Sequence, residues 1–141
     1  YLEPTDYSPT IHTNSLKIEI SAQGDSAAAP RVFELRTYHT SPGKLDNLNK
    51  RFKDDTIRIF NQHMMTSIAY FTPQDDDQGS KNTLVYFLAF PNRDAAKVSW
   101  QDFRDDPNWQ KVKADSEADG IPLAAKVESI YLEPTDVSPL K

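Results

Sequence analysis

The sequence predicts an α+β fold whose elements follow the order β-α-β-β-α-β, with two helices on one face of a four-stranded antiparallel sheet. Two observations carry this prediction. Four segments, Val32 to His39, Met65 to Phe71, Thr83 to Phe90 and Lys126 to Leu132, alternate or run apolar over strand lengths. In the intervals after the first and third of them, apolar residues recur instead at helical spacing.

The first strand, VFELRTYH, places Phe33, Leu35 and Thr37 on one face and Glu34, Arg36 and Tyr38 on the other. Ser41 and Pro42 then supply an N-cap and a proline at the first helical position, and Leu45, Leu48, Phe52, Thr56, Ile59 and His63 mark one amphipathic helix over about residues 42–63. MTSIAYF is the second strand. TLVYFLAF is the third, apolar on both faces and so central in the sheet. The polar run from Thr72 to Asn82 joins them. Asn92 caps a second helix through Ala95, Ala96, Ser99, Trp100 and Phe103. Asp106 and Pro107 restart it through Trp109, Val112 and Ser116, and Gly120 and Pro122 stop it. Pro134 ends the fourth strand, because proline cannot donate to a ladder. This order is the ferredoxin-like arrangement. It leaves one sheet face without helices, to be covered by solvent, a ligand or a partner.

The chain has 141 residues, enough for one domain with a substantial core. The absence of cysteine excludes thiolate catalysis, disulfides, iron–sulfur clusters and thiolate zinc sites. A net charge of −5 argues against nonspecific binding to nucleic acid, and no apolar run is long enough to span a membrane.

The chain also contains an internal repeat. Tyr1 to Pro9 reads YLEPTDYSP and Tyr131 to Pro139 reads YLEPTDVSP, identical at eight of nine positions and offset by 130 residues. Two readings follow: the first copy is the tail of a preceding domain of the same kind, or it docks in a groove like the one its twin fills. Leu16, Ile18 and Ile20 alternate with charged residues as a short strand, and residues 22–30 read as a linker. The predicted organisation is therefore an N-terminal extension and linker at 1–30, a domain at 31–134 and a tail at 135–141.

If the helices cover Phe33 and Leu35, then Glu34, Arg36 and Tyr38 point to the open face. There Arg36 could clamp an anionic or phenolic ligand and Glu34 act as base, with Tyr70, Tyr86 and Tyr131 adding phenols. A structural ion pair on a strand face is the plainer alternative. Of the histidines, His12, His39 and His63 lie in three elements without metal-ligand spacing. His63 gains from the dipole of its helix end, and His39 is the one to test for catalysis. Asp75, Asp76, Asp77 and Gly79 resemble the start of a calcium loop, but its twelfth position falls on Tyr86, so no metal site is expected. The four glycines are too scattered to cradle a phosphate, and no other cofactor is implied.

As an ordered series over residues 31–139, FELRTY (33–38), PGKL (42–45), MTSIAYF (65–71), FPNRDAAKVSW (90–100), DPNW (106–109), VES (127–129) and PTDVSP (134–139) resemble the NIPSNAP family. The resemblance implies a dimeric α+β barrel, in which two ferredoxin-like units set their open sheet faces together, and a frequent tandem arrangement. It supplies no catalytic residue, since the family has no generally established reaction. Two positions depart from the family pattern: Asp55 replaces the histidine of D-H-T, and Met64 replaces the glycine of H-G-M. A glycine there suits a left-handed helix end, so Met64 would cost about 1 kcal/mol in that geometry.

The leading functional expectation is a domain that self-associates as a homodimer or higher oligomer through its sheet face and binds a small organic molecule or a protein. A second is a cofactor-independent oxygenase or isomerase, with Arg36 holding an enolate or phenolate and Glu34 or His39 moving a proton, which requires an interior pocket of about 300 Å³ or more. A third is a structural protein whose N-terminal segment builds assemblies by strand addition.

Overall fold

The computed structural model describes residues 2–7 and 31–141. The expected strand at Leu16 to Ile20, the linker at 22–30 and His12 lie outside them. Within the described residues the elements are β1 (Leu2–Pro4), β2 (Val32–Thr40), α1 (Leu45–Arg51), a π-turn (Phe52–Thr56), α2 (Ile57–Gln62), β3 (Thr66–Pro73), β4 (Thr83–Phe90), α3 (Arg93–Asp105), α4 (Pro107–Ser116) and β5 (Ala124–Leu132). The β-α-β-β-α-β order is thus present. The sheet, however, has five strands rather than four, in the order β1-β3-β4-β2-β5, every pairing antiparallel. The extra strand comes from the first copy of the repeated motif. It is short and holds a proline, which an edge strand tolerates, and it exists through its pairing with β3.

The first long helix differs from the sequence expectation at its start and in the middle. Ser41 does not cap it: its hydroxyl donates to the Pro122 carbonyl at 2.7 Å, pinning the end of β2 to the segment before β5, and the helix starts at Leu45. Midway, the Ile57 N–H reaches the Phe52 carbonyl five residues back, and the Thr56 hydroxyl donates to the Arg51 carbonyl at 3.2 Å. This widens one turn into a π-bulge. The helix ends at Gln62 as expected, and Met64 just beyond it adopts φ 59°, the left-handed geometry that the family glycine suits.

The later helices follow their caps. The Asn92 side chain accepts the Ala95 N–H at 2.8 Å, and the Asp106 side chain accepts the Asn108 N–H at 2.7 Å with Pro107 at the first helical position. Asp106 also meets His63 Nε2 at 2.7 Å, joining the end of α2 to the start of α4; that hydrogen bond holds the Asp106 carboxyl below its ordinary range. Buried Arg51 donates to Glu117 at 3.0 Å, and Glu117 accepts the Leu123 N–H at 3.1 Å, tying α1 to the chain entering β5.

The core is aromatic. Phe52 stands at its centre, with Phe60, Tyr70, Tyr86 and Tyr38 edge-on within 6.0 Å of it, and Phe60 carries the cluster on to Trp100 and Phe103. It lies between the helices and one face of the sheet, and each such ring pair adds roughly 1 kcal/mol beyond its area burial.

Met64 touches none of this, being 74% exposed, so its cost is that of its backbone alone. Replacing it with glycine is expected to stabilise the protein by about 1 kcal/mol. Urea denaturation reads this as a higher midpoint at unchanged slope; a lowered midpoint would show that the Met64 side chain, not its backbone, governs the helix end.

Candidate functional site

The alternation of β2 is present, but its faces are the reverse of the expectation. Glu34, Arg36 and Tyr38 lie under the helices, whereas Phe33, Leu35 and Thr37 take the helix-free face. The reason is a set of partners that the strand pattern does not display. Glu34 is 1% exposed, and its carboxylate accepts from Arg36 at 2.7 Å, from the Trp100 indole N–H of α3 at 2.6 Å and from the Ser129 hydroxyl of β5 at 2.5 Å. The Arg36 guanidinium lies 4.1 Å over the Trp100 ring and 5.5 Å from that of Tyr38, whose hydroxyl accepts a long hydrogen bond from it at 3.4 Å. Burial works against the Arg36 charge, but Tyr86, Tyr38 and Glu34 outweigh it and hold the proton more tightly than usual.

Tyr86 faces Arg36 across the β2–β4 pair, and Tyr70 faces Tyr86 across β3–β4, their rings stacked at 5.5 Å. Burial raises the pKa of both phenols. The Tyr70 hydroxyl pairs with Ser67 at 2.6 Å. The Arg36 Nε is buried without a hydrogen-bond partner among the described residues, and the buried Tyr86 phenol has Tyr38 as its neighbour. Tyr131 sits at the margin of this cluster opposite Glu34, with the Arg93 guanidinium 3.8 Å over its ring.

Five of the six proposed ligand residues therefore gather beneath the helices, and Tyr131 borders them. His39 does not join them. It lies near the end of β2, on the face opposite Glu34, 3.8 Å from Glu128 and 3.5 Å from the Thr83 hydroxyl. Trp100 and Ser129 belong to the cluster although sequence reasoning treated Trp100 as core only. The available signal was its indole N–H, which needs an acceptor when buried.

The space between sheet and helices is filled by Phe52, Phe60, Tyr70 and Tyr86. A cavity of about 540 Å³ lies between α1 and α4 and is lined by Asp46, Lys50, Asp55, Val112 and Asp115 among others. Another of about 270 Å³ lies on the helix-free face beneath the C-terminal tail, against Phe33, Phe87 and Leu140. Neither touches Glu34 or Arg36. Among the described residues no cluster of three potential metal ligands occurs, and no helix is long and apolar enough to cross a membrane.

The architecture, an antiparallel sheet with helices on one face and none on the other, is that of the dimeric α+β barrel proteins. The sequence profile of the NIPSNAP family matches residues 33–139, and the chain belongs to that family. Among solved structures it is similar to a NIPSNAP family protein of unknown function from Agrobacterium tumefaciens, at 25% identity and TM-score 0.68, covering 80% of this chain and 96% of that one. The fold also recurs in SnoaB, a cofactor-independent oxygenase from Streptomyces nogalater (13% identity, TM-score 0.51, 79% of this chain and 99% of that one). It recurs again in a monooxygenase from Streptomyces coelicolor crystallised with nanaomycin D (10% identity, TM-score 0.52, 80% and 95%). None of the curated proteins matches the chain.

Removing one partner of the Glu34–Arg36 pair strands a buried charge, which costs about 3 kcal/mol, whereas replacing both with apolar groups costs less. Arg36→Leu is therefore expected to lose about 3 kcal/mol in denaturant unfolding, and Glu34→Met combined with Arg36→Leu to recover part of it. Strict additivity of the two substitutions would contradict the coupling.

Proposed function

We propose that this NIPSNAP domain is a self-association module: residues 31–134 lay the helix-free face of their sheet on that of a second copy. One observation carries the reading. That face bears Leu35, Val85, Phe87 and Ile130 across neighbouring strands, with Ile130 54% exposed although it sits mid-strand. An apolar sheet face of this kind calls for a cover, and the only cover from within the described chain is the C-terminal tail over Phe33. The fold shared with the barrel proteins supports the same arrangement.

A finer part of the proposal concerns a ligand. Arg36 Nε is a donor left open in a buried aromatic setting, next to the Tyr86 phenol. A small phenolic or carbonyl compound is the chemistry that would accept from it, with Tyr38, Tyr70 and Tyr86 beside it. Entry would require the surrounding rings to part. The oxygenase reading has less support: the two Streptomyces enzymes share the fold alone, and His39 stands apart from Glu34 and Arg36.

Light scattering is expected to give a mass at least twice the 16.0 kDa of the chain, and Ile130→Asp, at an exposed position, to return it to the monomer without loss of helical circular dichroism. A wild-type monomer would defeat the proposal. In the same samples, a bound phenol would alter the fluorescence of Trp100, whose ring packs on Arg36; a phenol series leaving the emission unchanged would remove the ligand part.

A further inference from the structure

The two copies of the repeated motif lie at opposite edges of one sheet. The first forms β1 and covers the free edge of β3, with Leu2 opposite Pro73, Glu3 opposite Thr72 and Pro4 opposite Phe71. The second begins at Tyr131 and Leu132, which finish β5 against β2 at the other edge. Each copy continues into the same turn, at Asp6 and Tyr7 in one and at Asp136 and Val137 in the other.

The contacts of the first copy are specific. The Thr5 N–H donates to the Tyr70 carbonyl at 2.9 Å, and Glu3 accepts from Gln74 at 2.7 Å. Asp6 pairs with Lys53 of the π-turn, and the Tyr7 hydroxyl donates to Asn49 at 2.8 Å while its ring lies 5.1 Å from that of Tyr70. Every group named here except the Tyr7 side chain recurs in the second copy, as Glu133, the Thr135 backbone and Asp136. In this structure Lys141 holds the Thr135 and Asp136 carbonyls of that copy, but Leu132 is 37% and Val137 85% exposed, and β5 has a neighbour on one side only among the described residues.

We propose that the β3 edge, with Lys53 and Gln74, is a receptor for the LEPTD segment, and that residues 132–136 of a second copy of this chain are its alternative occupant. The inference rests on the self-association reading and deepens it by naming the strand edge through which copies join. Antiparallel strand addition supplies the backbone hydrogen bonds, and an otherwise bare edge strand is the surface that invites it. β5 keeps its pairing with β2 while its outer side meets the neighbouring β3. Glu133 then meets Gln74, Asp136 meets Lys53 and the Thr135 N–H meets the Tyr70 carbonyl. Residue 7 sets the balance, because the chain's own segment brings a phenol where the incoming tail brings Val137.

The chain has no cysteine, so single introduced cysteines report on this contact cleanly. Residues facing each other across an antiparallel pair lie about 4.5–5.5 Å apart at Cα, within disulfide reach. Glu3 faces Thr72, so Glu133 of a second copy would face it too. Mixing Glu133→Cys protein with Thr72→Cys protein under mild oxidation is expected to give the mixed disulfide, its yield rising roughly fivefold when Tyr7→Ala is added to the Thr72→Cys chain. Circular dichroism verifies that each variant is folded. No mixed disulfide from folded variants that light scattering still finds paired would overturn this inference and leave sheet-face pairing standing. Folded variants and wild type that are all monomeric would overturn both.

Discussion

Burying the Glu34 carboxylate between the sheet and α3 decides which way β2 faces, and most of the molecule follows from that choice. Removing a carboxylate from water costs several kcal/mol after relaxation, so it is tolerated only where its lone pairs are met. Arg36, Trp100 and Ser129 meet them from β2 itself, from α3 and from β5. One group thereby ties a central strand, a helix and an edge strand together. Arg36 is in turn held by the Trp100 and Tyr38 rings, so the polar cluster is sealed by the same aromatics that fill the core.

The consequence lies on the other side of the sheet. Side chains alternate along a strand, so placing Glu34, Arg36 and Tyr38 beneath the helices sends Leu35 outward, together with its cross-strand neighbours Phe87 and Ile130. A polar cluster inside and apolar side chains outside on one strand look inverted for a monomer and fit the proposed pairing of sheet faces. The sheet edges add to this, since the motif that seals the β3 edge has its twin at the far end of β5.

The order of elements was legible because periodicity changes sharply from strand to helix, and the Asn92 and Asp106 caps lie where their side chains can accept backbone N–H groups. Three features were not legible, each for a physical reason. The face of β2 depends on Trp100 and Ser129, 66 and 95 residues away, which no local alternation encodes. The π-turn rests on a hydrogen bond from Ile57 to Phe52 that an α-helical spacing of apolar residues conceals. The fifth strand is three residues long and exists through pairing with β3, so its own composition carries no strand signal. Met64 was the opposite case: the departure from glycine flagged the left-handed helix end, and the backbone adopts it.

The orientation of β2 is tested most directly by the Trp100 indole proton. The chain has two tryptophans and hence two indole signals in a nitrogen–proton NMR spectrum, assignable by substituting Trp109. The Trp100 signal is expected to exchange slowly with solvent, as befits a donor to a buried carboxylate, and to move when Glu34 is replaced by glutamine. An indole proton at Trp100 that exchanges as freely as an exposed one, and is indifferent to residue 34, would contradict the burial of Glu34 beneath α3.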